Sequence, residues 1–483
     1  MVGDREVEVL GITFDSRAVR PGDLFAALRG ADYDGHAFVA DAVDRGASAV
    51  LVEEGGNWAV PQVVVPSSRA ALAPIAAAFF GRPSDQMPVI GITGTDGKTT
   101  TSFLVDAILR RAGRRTGMIG TVAVRIGDWV DRHASRQTTP ESVDVQRYLR
   151  AMADDRVDWA IVEATSHGLD LHRLDEVRFR IGAVTNVTHE HLEHHGTLEA
   201  YRRAKGILFE RVGSTGGTAV VNADDPGARA MLPFAAGATL LMFSAHGAAA
   251  DVLATSVQPG PKGTRFDLSH GGMTEAVRFP LIGSFNVENA LCAASVGLAS
   301  GLTLTEVKRG LEAAPDIPGR LARVDAGQPF SVVVDYAHTP ESLAKVISLL
   351  RDLHPGGRVI AVFGSAGERD VAKRALQGAV GARLADVTIA TSEDPRNEDP
   401  EKIVAQIVAG AVEAGAIAGE NVFAVVDRRE AIQLAIGWAR AGDCVLLAGK
   451  GHETSIIWGR EKRPWDEAAE ARQALAEASF SEA

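Results

Sequence analysis

The sequence predicts an α/β protein of three domains, and three observations carry that expectation. An apolar strand, Val89 to Ile92, runs into a glycine-rich loop and then a helical pattern from about Thr101 to Ala112. Apolar strands recur at spacings of roughly 20 to 35 residues after position 319, with helical segments between them. Gly81-Arg82-Pro83 and Met87-Pro88 break the chain ahead of the glycine-rich loop. We divide the chain into residues 1–88, 89–318 and 319–483 on these grounds. The middle one is expected to be a P-loop mononucleotide-binding domain, and the last a Rossmann-like domain on a parallel sheet.

Composition narrows the class. The chain has 483 residues, 46% hydrophobic and 23% charged, as in ordinary globular proteins. A net charge of −12 argues against a general binder of nucleic acid or anionic membrane. Cys292 and Cys444 sit in apolar runs and read as buried free thiols of a reducing compartment. The charged stretch Met1 to Glu8 lacks a signal-peptide pattern, and no apolar run reaches the length of a membrane span. A cytoplasmic location is the expectation.

In the first domain, DSRAVRPGDLFAALRG places a PGD turn before an apolar strand, Leu24 to Leu28. ASAVLV (47–52) and QVVVP (62–66) read as further strands, and Ser67 or Ser68 caps a helix ended by Gly81. Ser16 and Arg17 beside the turn are candidates for holding a phosphate. A solvated turn is the alternative.

The middle domain opens on the polyphosphate cradle. Gly94-Thr95-Asp96-Gly97 turn backbone N–H groups inward, and the following helix adds positive potential at its N-terminus. Lys98 neutralises phosphate charge, and the hydroxyl of Thr99 or Thr100 can ligate Mg2+. The glycines fall at 91, 94 and 97; the common spacing would place one where Ile92 stands. WAIVEATSHGL and IGAVTNVTHEHLEHHGT are strands that end in carboxylate or imidazole groups, at the edge where open α/β sheets bind ligands. Glu163 would then face the phosphate loop.

The histidines 189, 191, 194 and 195 invite a zinc assignment. The HExxH pattern fails because Glu193 stands where the second histidine belongs, and no cysteine is near. Zinc is not expected. Glu163 and His191, with Thr99, better suit a Mg2+ that also touches the phosphates; the other histidines read as polar loop surface. Lys205, in YRRAKGILF, reads as a core-facing lysine that snorkels, or else as a buried lysine open to modification or catalysis.

In the last domain the strands SVVVD, RVIAVFG, VTIAT, VFAVV and CVLLAG each end in polar or glycine-rich residues, which predicts a second ligand site on one rim. Arg369 and Arg396 are candidates for bidentate carboxylate recognition, with surface ion pairs as the other possibility. The segment after Pro464 reads as a charged, alanine-rich helix.

Nearly the whole chain resembles the Mur ligases of peptidoglycan synthesis, most closely those that add the third, diamino residue. The blocks that carry the likeness include DSRAVRPGDLF, GITGTDGKTTT, TTPES, EATSHGLDLHRL, TNVTHEHLEHHGT, AKGILF, VVDYAHTPESL, SEDPRNEDP and AGKGHE. The resemblance implies that ATP phosphorylates a carboxylate of a UDP-sugar dipeptide and that the amine of a diamino acid attacks the acyl phosphate. It implies Lys98 and Thr99 on phosphates and metal, Glu163 and His191 on Mg2+, and Lys205 carbamylated beside a second Mg2+. It puts Asn289, Arg320 and Asp335 against the nucleotide and Ser16 against the uridine diphosphate. Thr138, Thr139, Thr165 and Arg173 would hold the sugar-peptide. Arg369, Asp394, Arg396, Gly449 and Glu453 would hold the diamino acid, in a monomeric enzyme.

Departures are visible. Asp96 replaces an Asn of the loop, Gln137 an Asn before TTP, and Leu171 a Gln. SEDPR replaces the DNPR of diaminopimelate-adding members. An anion at Asp394 suits a terminal ammonium and repels a second carboxylate, which favours lysine or ornithine over meso-diaminopimelate. Arg396 pulls the other way. The nearest rival within the superfamily is a folylpolyglutamate synthetase, against which DSR…PGDLF and GKGHE speak. A guanine-nucleotide switch would need an NKxD motif, and the chain has no Asn-Lys pair.

Overall fold

A computed structural model describes residues 3, 6–30, 33–131, 137–188 and 192–478. The chain forms two compact units. The first holds residues 1–255, 267–277 and 287–313; the second holds 256–266, 278–286 and 314–483.

The first unit contains two sheets. β1 (Gly11–Thr13), β2 (Asp23–Ala26), β3 (Ala49–Val52) and β4 (Gln62–Val64) lie parallel in that order. Their apolar face packs Leu24, Ala26 and Leu51 against Leu72 of helix Ser68–Phe79. Ser67 caps that helix, its hydroxyl accepting from the Ala70 N–H at 3.2 Å.

The larger sheet is organised around β5 (Val89–Thr93), every residue of which is buried. Its parallel neighbours are β9 (Trp159–Glu163) and β10 (Phe179–Val184). β6 (Thr116–Ile119) pairs with the far side of β9, and β7 (Val124–Ile126) and β8 (Trp129–Asp131) continue antiparallel from it. β11 (Thr218–Asn222) and β12 (Thr239–Ser244) follow β10 on the other side. Continuous apolar runs explain the burial, since a parallel strand is covered on both faces. Register sets the site: Ile92 pairs with Glu163 and Thr93 with Val184, so the loops after three strands open at one rim.

Helix Leu198–Ser214 lies close against this sheet because two strand positions carry no side chain. A Cβ at Gly91 would stand 2.6 Å from Leu208 Cδ1, and one at Gly182 would stand 2.8 Å from Val212 Cγ2. That close approach brings Lys205, on the same helix, under the phosphate loop. Truncating Leu208 to Ala would open a cavity at the contact and cost about 2–5 kcal/mol.

The second unit is built on six strands in the order Ala322–Arg323, Ser331–Asp335, Cys444–Ala448, Val359–Phe363, Val387–Ala390, Val422–Ala424. All pair in parallel except the two-residue edge strand. The expected βα repeat is present, and Asp335 pairs with Ala448 and Phe363 with Ala390, so the strand ends do share a rim. The hairpin of Ser455–Trp458 and Glu461–Pro464 is not expected from sequence, nor are the strands Val252–Gly260, Gly263–His270 and Met273–Phe279. Helix Glu467–Glu477 occupies the expected terminal segment.

Candidate active site

The phosphate loop is held from below by its neighbour strand's loop. The Thr95 N–H donates to Asn186 O at 2.8 Å, and the Asp96 N–H donates to Asn186 Oδ1 at 2.9 Å. Gly94 and Gly97 take φ of 154° and 83°, backbone that glycine adopts most readily. Both are also spatially obligatory: a Cβ would meet Thr185 Oγ1 at 2.0 Å or Asn289 Oδ1 at 2.1 Å. Helix Lys98–Arg111 starts directly after Gly97, earlier than the periodicity alone predicts, so Thr99 and Thr100 lie in its buried first turn. Lys98 Nζ donates to Gly94 O at 2.9 Å and to Thr95 O at 2.7 Å. Its cation is thereby fixed at the loop.

Glu163 ends β9 beside this helix and is fully buried. Its Oε2 accepts from Thr99 Oγ1 and from Thr121 Oγ1, each at 2.9 Å, while Oε1 accepts from the Thr121 N–H at 3.0 Å. Thr121 Oγ1 lies 2.9 Å from Thr138 Oγ1. The result is a carboxylate ringed by hydroxyls, an all-oxygen donor set suited to a hard divalent cation. Sequence reasoning misses Thr121. It sits just past β6, and only the β6–β9 register brings it to Glu163.

The remaining threonines form a second layer. Thr139 Oγ1 lies 2.7 Å from Glu163 O and 2.9 Å from Thr165 Oγ1. Arg173 donates to Thr139 O at 3.1 Å and pairs with Glu141 at 3.0 Å, and Glu141 also pairs with Arg69 at 2.7 Å. Arg69 belongs to the first sheet's helix, so one carboxylate ties that layer to the candidate substrate residues. Ser16 begins a short 3-10 turn in the first sheet layer. Among the described residues, its hydroxyl makes no hydrogen bond to this network.

Lys205 does not snorkel, contrary to the default expectation. It is 1% exposed, and its Nζ donates to Gly94 O at 2.8 Å and sits 4.5 Å from the Tyr201 ring centroid. The Tyr201 hydroxyl lies 3.2 Å from Thr95 Oγ1. Two side chains of helix 198–214 therefore reach the phosphate loop rather than solvent. His191 lies outside the described residues.

In the second unit, Asp335 closes its strand and accepts from the N–H groups of Leu321 and Ala337, both at 2.8 Å. Burial raises its pKa, against the pull of Arg320. The Arg320 guanidinium lies 5.2 Å from the Tyr336 ring, and His452 packs on that ring at 4.9 Å. Burial pushes the His452 imidazole down to about 4 and the Tyr336 phenol up to about 12.

Asp394 does not present a free anion. Its Oδ1 accepts from the fully buried Lys450 at 2.8 Å and from the Ile457 N–H at 3.0 Å. Lys450 also bonds Glu453, whose pKa is raised by burial. Glu393 Oε2 and Arg396 Nε are instead buried without hydrogen-bond partners among the described residues. Gly449 has φ of 100°, and a Cβ there would stand 2.9 Å from Glu393 Oε2. Arg369 is exposed, on a loop whose Gly367 N–H donates to Asp394 O at 2.8 Å.

Three family models match in chain order: the Mur ligase family catalytic domain over residues 8–80, the Mur ligase middle domain over 92–297, and the Mur ligase glutamate ligase domain over 319–451. A UDP-N-acetylmuramyl-tripeptide synthetase of Roseiflexus sp. (strain RS-1) is 48% identical over 98% of this chain and 96% of its own. The chain belongs to the Mur ligase family. Mur ligases are ATP-dependent enzymes that form amide bonds, and this chain is an ATP-dependent ligase. A UDP-N-acetylmuramoyl-L-alanyl-D-glutamate–2,6-diaminopimelate ligase of Geobacillus thermodenitrificans (strain NG80-2) is 40% identical over 97% of this Mur ligase and 95% of the relative. A solved structure of a ligase of that name superposes with a TM-score of 0.69 at 32% identity, covering 97% of this chain and 95% of its own. A Mycobacterium tuberculosis folylpolyglutamate synthase, at 20% identity and 79% of this chain, shares the fold alone. No helix of this Mur ligase, among the described residues, is long and apolar enough to cross a membrane.

Proposed function

We propose that the chain adds a diamino acid to UDP-N-acetylmuramoyl-L-alanyl-D-glutamate in peptidoglycan synthesis, as a cytoplasmic monomer of three domains divided near residues 88 and 318. The observation that carries this is the convergence of Lys98, Thr99, Glu163 and Lys205 on one phosphate loop, in a chain whose relatives are named for that step. The substrate carboxylate attacks the γ-phosphorus of ATP, and the bond to the β,γ-bridging oxygen breaks as ADP leaves. The diamino acid's amine then attacks the acyl carbon, phosphate departs with the bonding pair, and the amine loses its proton. A carboxylate is a poor electrophile, and phosphorylation supplies the leaving group.

Gly94 to Thr100 would cradle the phosphates, with Asn289, Arg320 and Asp335 assigned to the nucleotide. The oxygen donors of Thr99 and Glu163 fit Mg2+, with His191 as a further ligand. Bound Mg2+ supplies charge neutralisation between two approaching anions. Lys205 is assigned as a carbamylated lysine, whose added carboxylate would serve a second Mg2+. Ser16, Thr138, Thr139, Thr165 and Arg173 are assigned to the UDP-sugar peptide.

Arg369, Asp394, Arg396, Gly449 and Glu453 are assigned to the amino acid, and Glu393 joins them. The charge argument for lysine or ornithine loses its basis, because Lys450 already matches Asp394. An unpartnered carboxylate oxygen on Glu393 and an unpartnered guanidinium nitrogen on Arg396 complement an ammonium and a carboxylate together, as the far end of meso-diaminopimelate carries. Measuring kcat/KM for meso-diaminopimelate, L-lysine and L-ornithine with the UDP-sugar dipeptide and ATP tests both levels. ADP release with none of the three refutes the step, and a preference for lysine or ornithine refutes the choice.

A further inference from the structure

The fold brings a carboxylate to the histidine-rich turn that no local spacing discloses. Asp170, His194 and His195 each offer one ligand atom, and these atoms lie within 4.8 Å of one another. Asp170 closes the short helix Ser166–Asp170, and the two histidines close the helical turn Leu192–His195. His194 Nε2 lies 3.0 Å from Asp170 Oδ2, and both side chains reach solvent. The His167 ring backs the group, 4.3 Å from His194 and 5.5 Å from His195 between centroids.

We propose that Asp170, His194 and His195 form a binding site for a borderline divalent transition metal, represented by zinc, separate from the Mg2+ donors at the phosphate loop. Two imidazoles and a carboxylate are the ligand set of zinc sites that keep a fourth position for water. A pair of imidazoles favours a borderline transition metal over Mg2+, which prefers a set made mostly of oxygen ligands. Zinc–ligand bonds of about 2.0–2.1 Å in a tetrahedron put neighbouring ligand atoms about 3.3 Å apart. The Asp170–His194 pair already stands near that spacing, and side-chain rotation closes the rest. An ordinary histidine–carboxylate hydrogen bond accounts for that pair alone. His195, from the same turn, brings a second imidazole nitrogen to the same small volume. The site adjoins the reaction centre: the His195 ring lies 5.4 Å from Tyr201, which contacts both Thr95 and Lys205.

Equilibrium dialysis of the full chain against micromolar zinc, with millimolar Mg2+ present throughout, tests the site. One zinc should bind per chain, and His194→Phe and Asp170→Asn should each weaken it by at least about tenfold, whereas Glu163→Gln should not. Cobalt in place of zinc should give the intense visible absorption of a four-coordinate ion in the unaltered protein, a readout that needs no variant. Absence of zinc binding, equal binding by His194→Phe, loss of binding in Glu163→Gln, or the weak spectrum of six-coordinate cobalt would each overturn the assignment.

Discussion

Thr99 donates a 2.9 Å hydrogen bond to the fully buried carboxylate of Glu163, a residue 64 positions further along the chain. The helix that begins at the phosphate loop and the strand beside it thus share one bond at the rim. Both groups are oxygen donors facing the same point, which makes Glu163 the most informative residue to change.

Glu163→Gln keeps the volume and removes the charge. The Mg2+ concentration for half-maximal rate should rise by about 10- to 100-fold, with KM for the UDP-substrate nearly unchanged. Initial rates across a Mg2+ titration check this. A large rise in that KM at unaltered Mg2+ dependence would move Glu163 from the metal to the substrate.

Lys205→Ala should lower turnover by about two to three orders of magnitude, and excess bicarbonate should not restore it. The wild-type enzyme, stripped of carbon dioxide at low pH and returned to neutral buffer, should regain activity only when bicarbonate is added. Full activity without bicarbonate would mean that the lysine acts unmodified.

Arg428 and Glu467 form an ion pair that is 1% and 0% exposed, at 2.6 Å. Arg428 also donates to Ser392 O at 3.2 Å and Ala448 O at 2.7 Å, the carbonyls just before Glu393 and Gly449, which are proposed to hold the amino acid. Arg428→Ala should cost about 3–5 kcal/mol in denaturant unfolding, because it strands a buried carboxylate. Arg428→Lys keeps a cation for Glu467 but lacks the planar fork that reaches both carbonyls. It should raise KM for the amino acid more than it lowers stability. An unchanged KM would make the pair purely structural.

His452 should make the protein acid-sensitive in a defined window. Its folded pKa is about 4 against an ordinary value of 6.5, so the unfolded chain binds the proton first. The stabilisation is complete above pH 6.5 and is lost as pH falls towards 4, with an upper size of about 3 kcal/mol. Glu453 and Asp335, whose pKa values are raised, act in the opposite sense as pH falls. Urea midpoints of wild type and His452→Gln at pH 7 and pH 5 separate the contribution: the wild-type loss should exceed the variant's. Equal losses would show that His452 is not the sensor.

Much of the site is legible in the sequence because its chemistry is local. Gly94 to Thr100 and the strand before them announce a phosphate loop by spacing, and Glu163 by its place at a strand end. Thr121 is not legible: a threonine after a glycine has no signal until strand pairing delivers it. Lys205 reads either as a snorkelling or as a buried lysine, because sequence shows the apolar helix but not that Gly91 and Gly182 face it and let it lie against the sheet. Asp394 misleads for the converse reason, since its partner Lys450 lies on another strand's loop. The strands between 252 and 279 carry no glycine loop or polar strand end to draw attention, although Thr264, Phe266 and Leu268 are buried in alternation with Arg265, Asp267 and Ser269.

The pairing of Ile119 with Val162 has a consequence for how such an enzyme fails. Thr121 reaches Glu163 only in that register, and a one-residue slip between the two strands would turn every side chain on the slipped strand to the opposite face. A substitution that loosens β6 can therefore silence catalysis while the molecule stays folded and abundant. Screens that score thermal melting alone would pass such a variant as healthy.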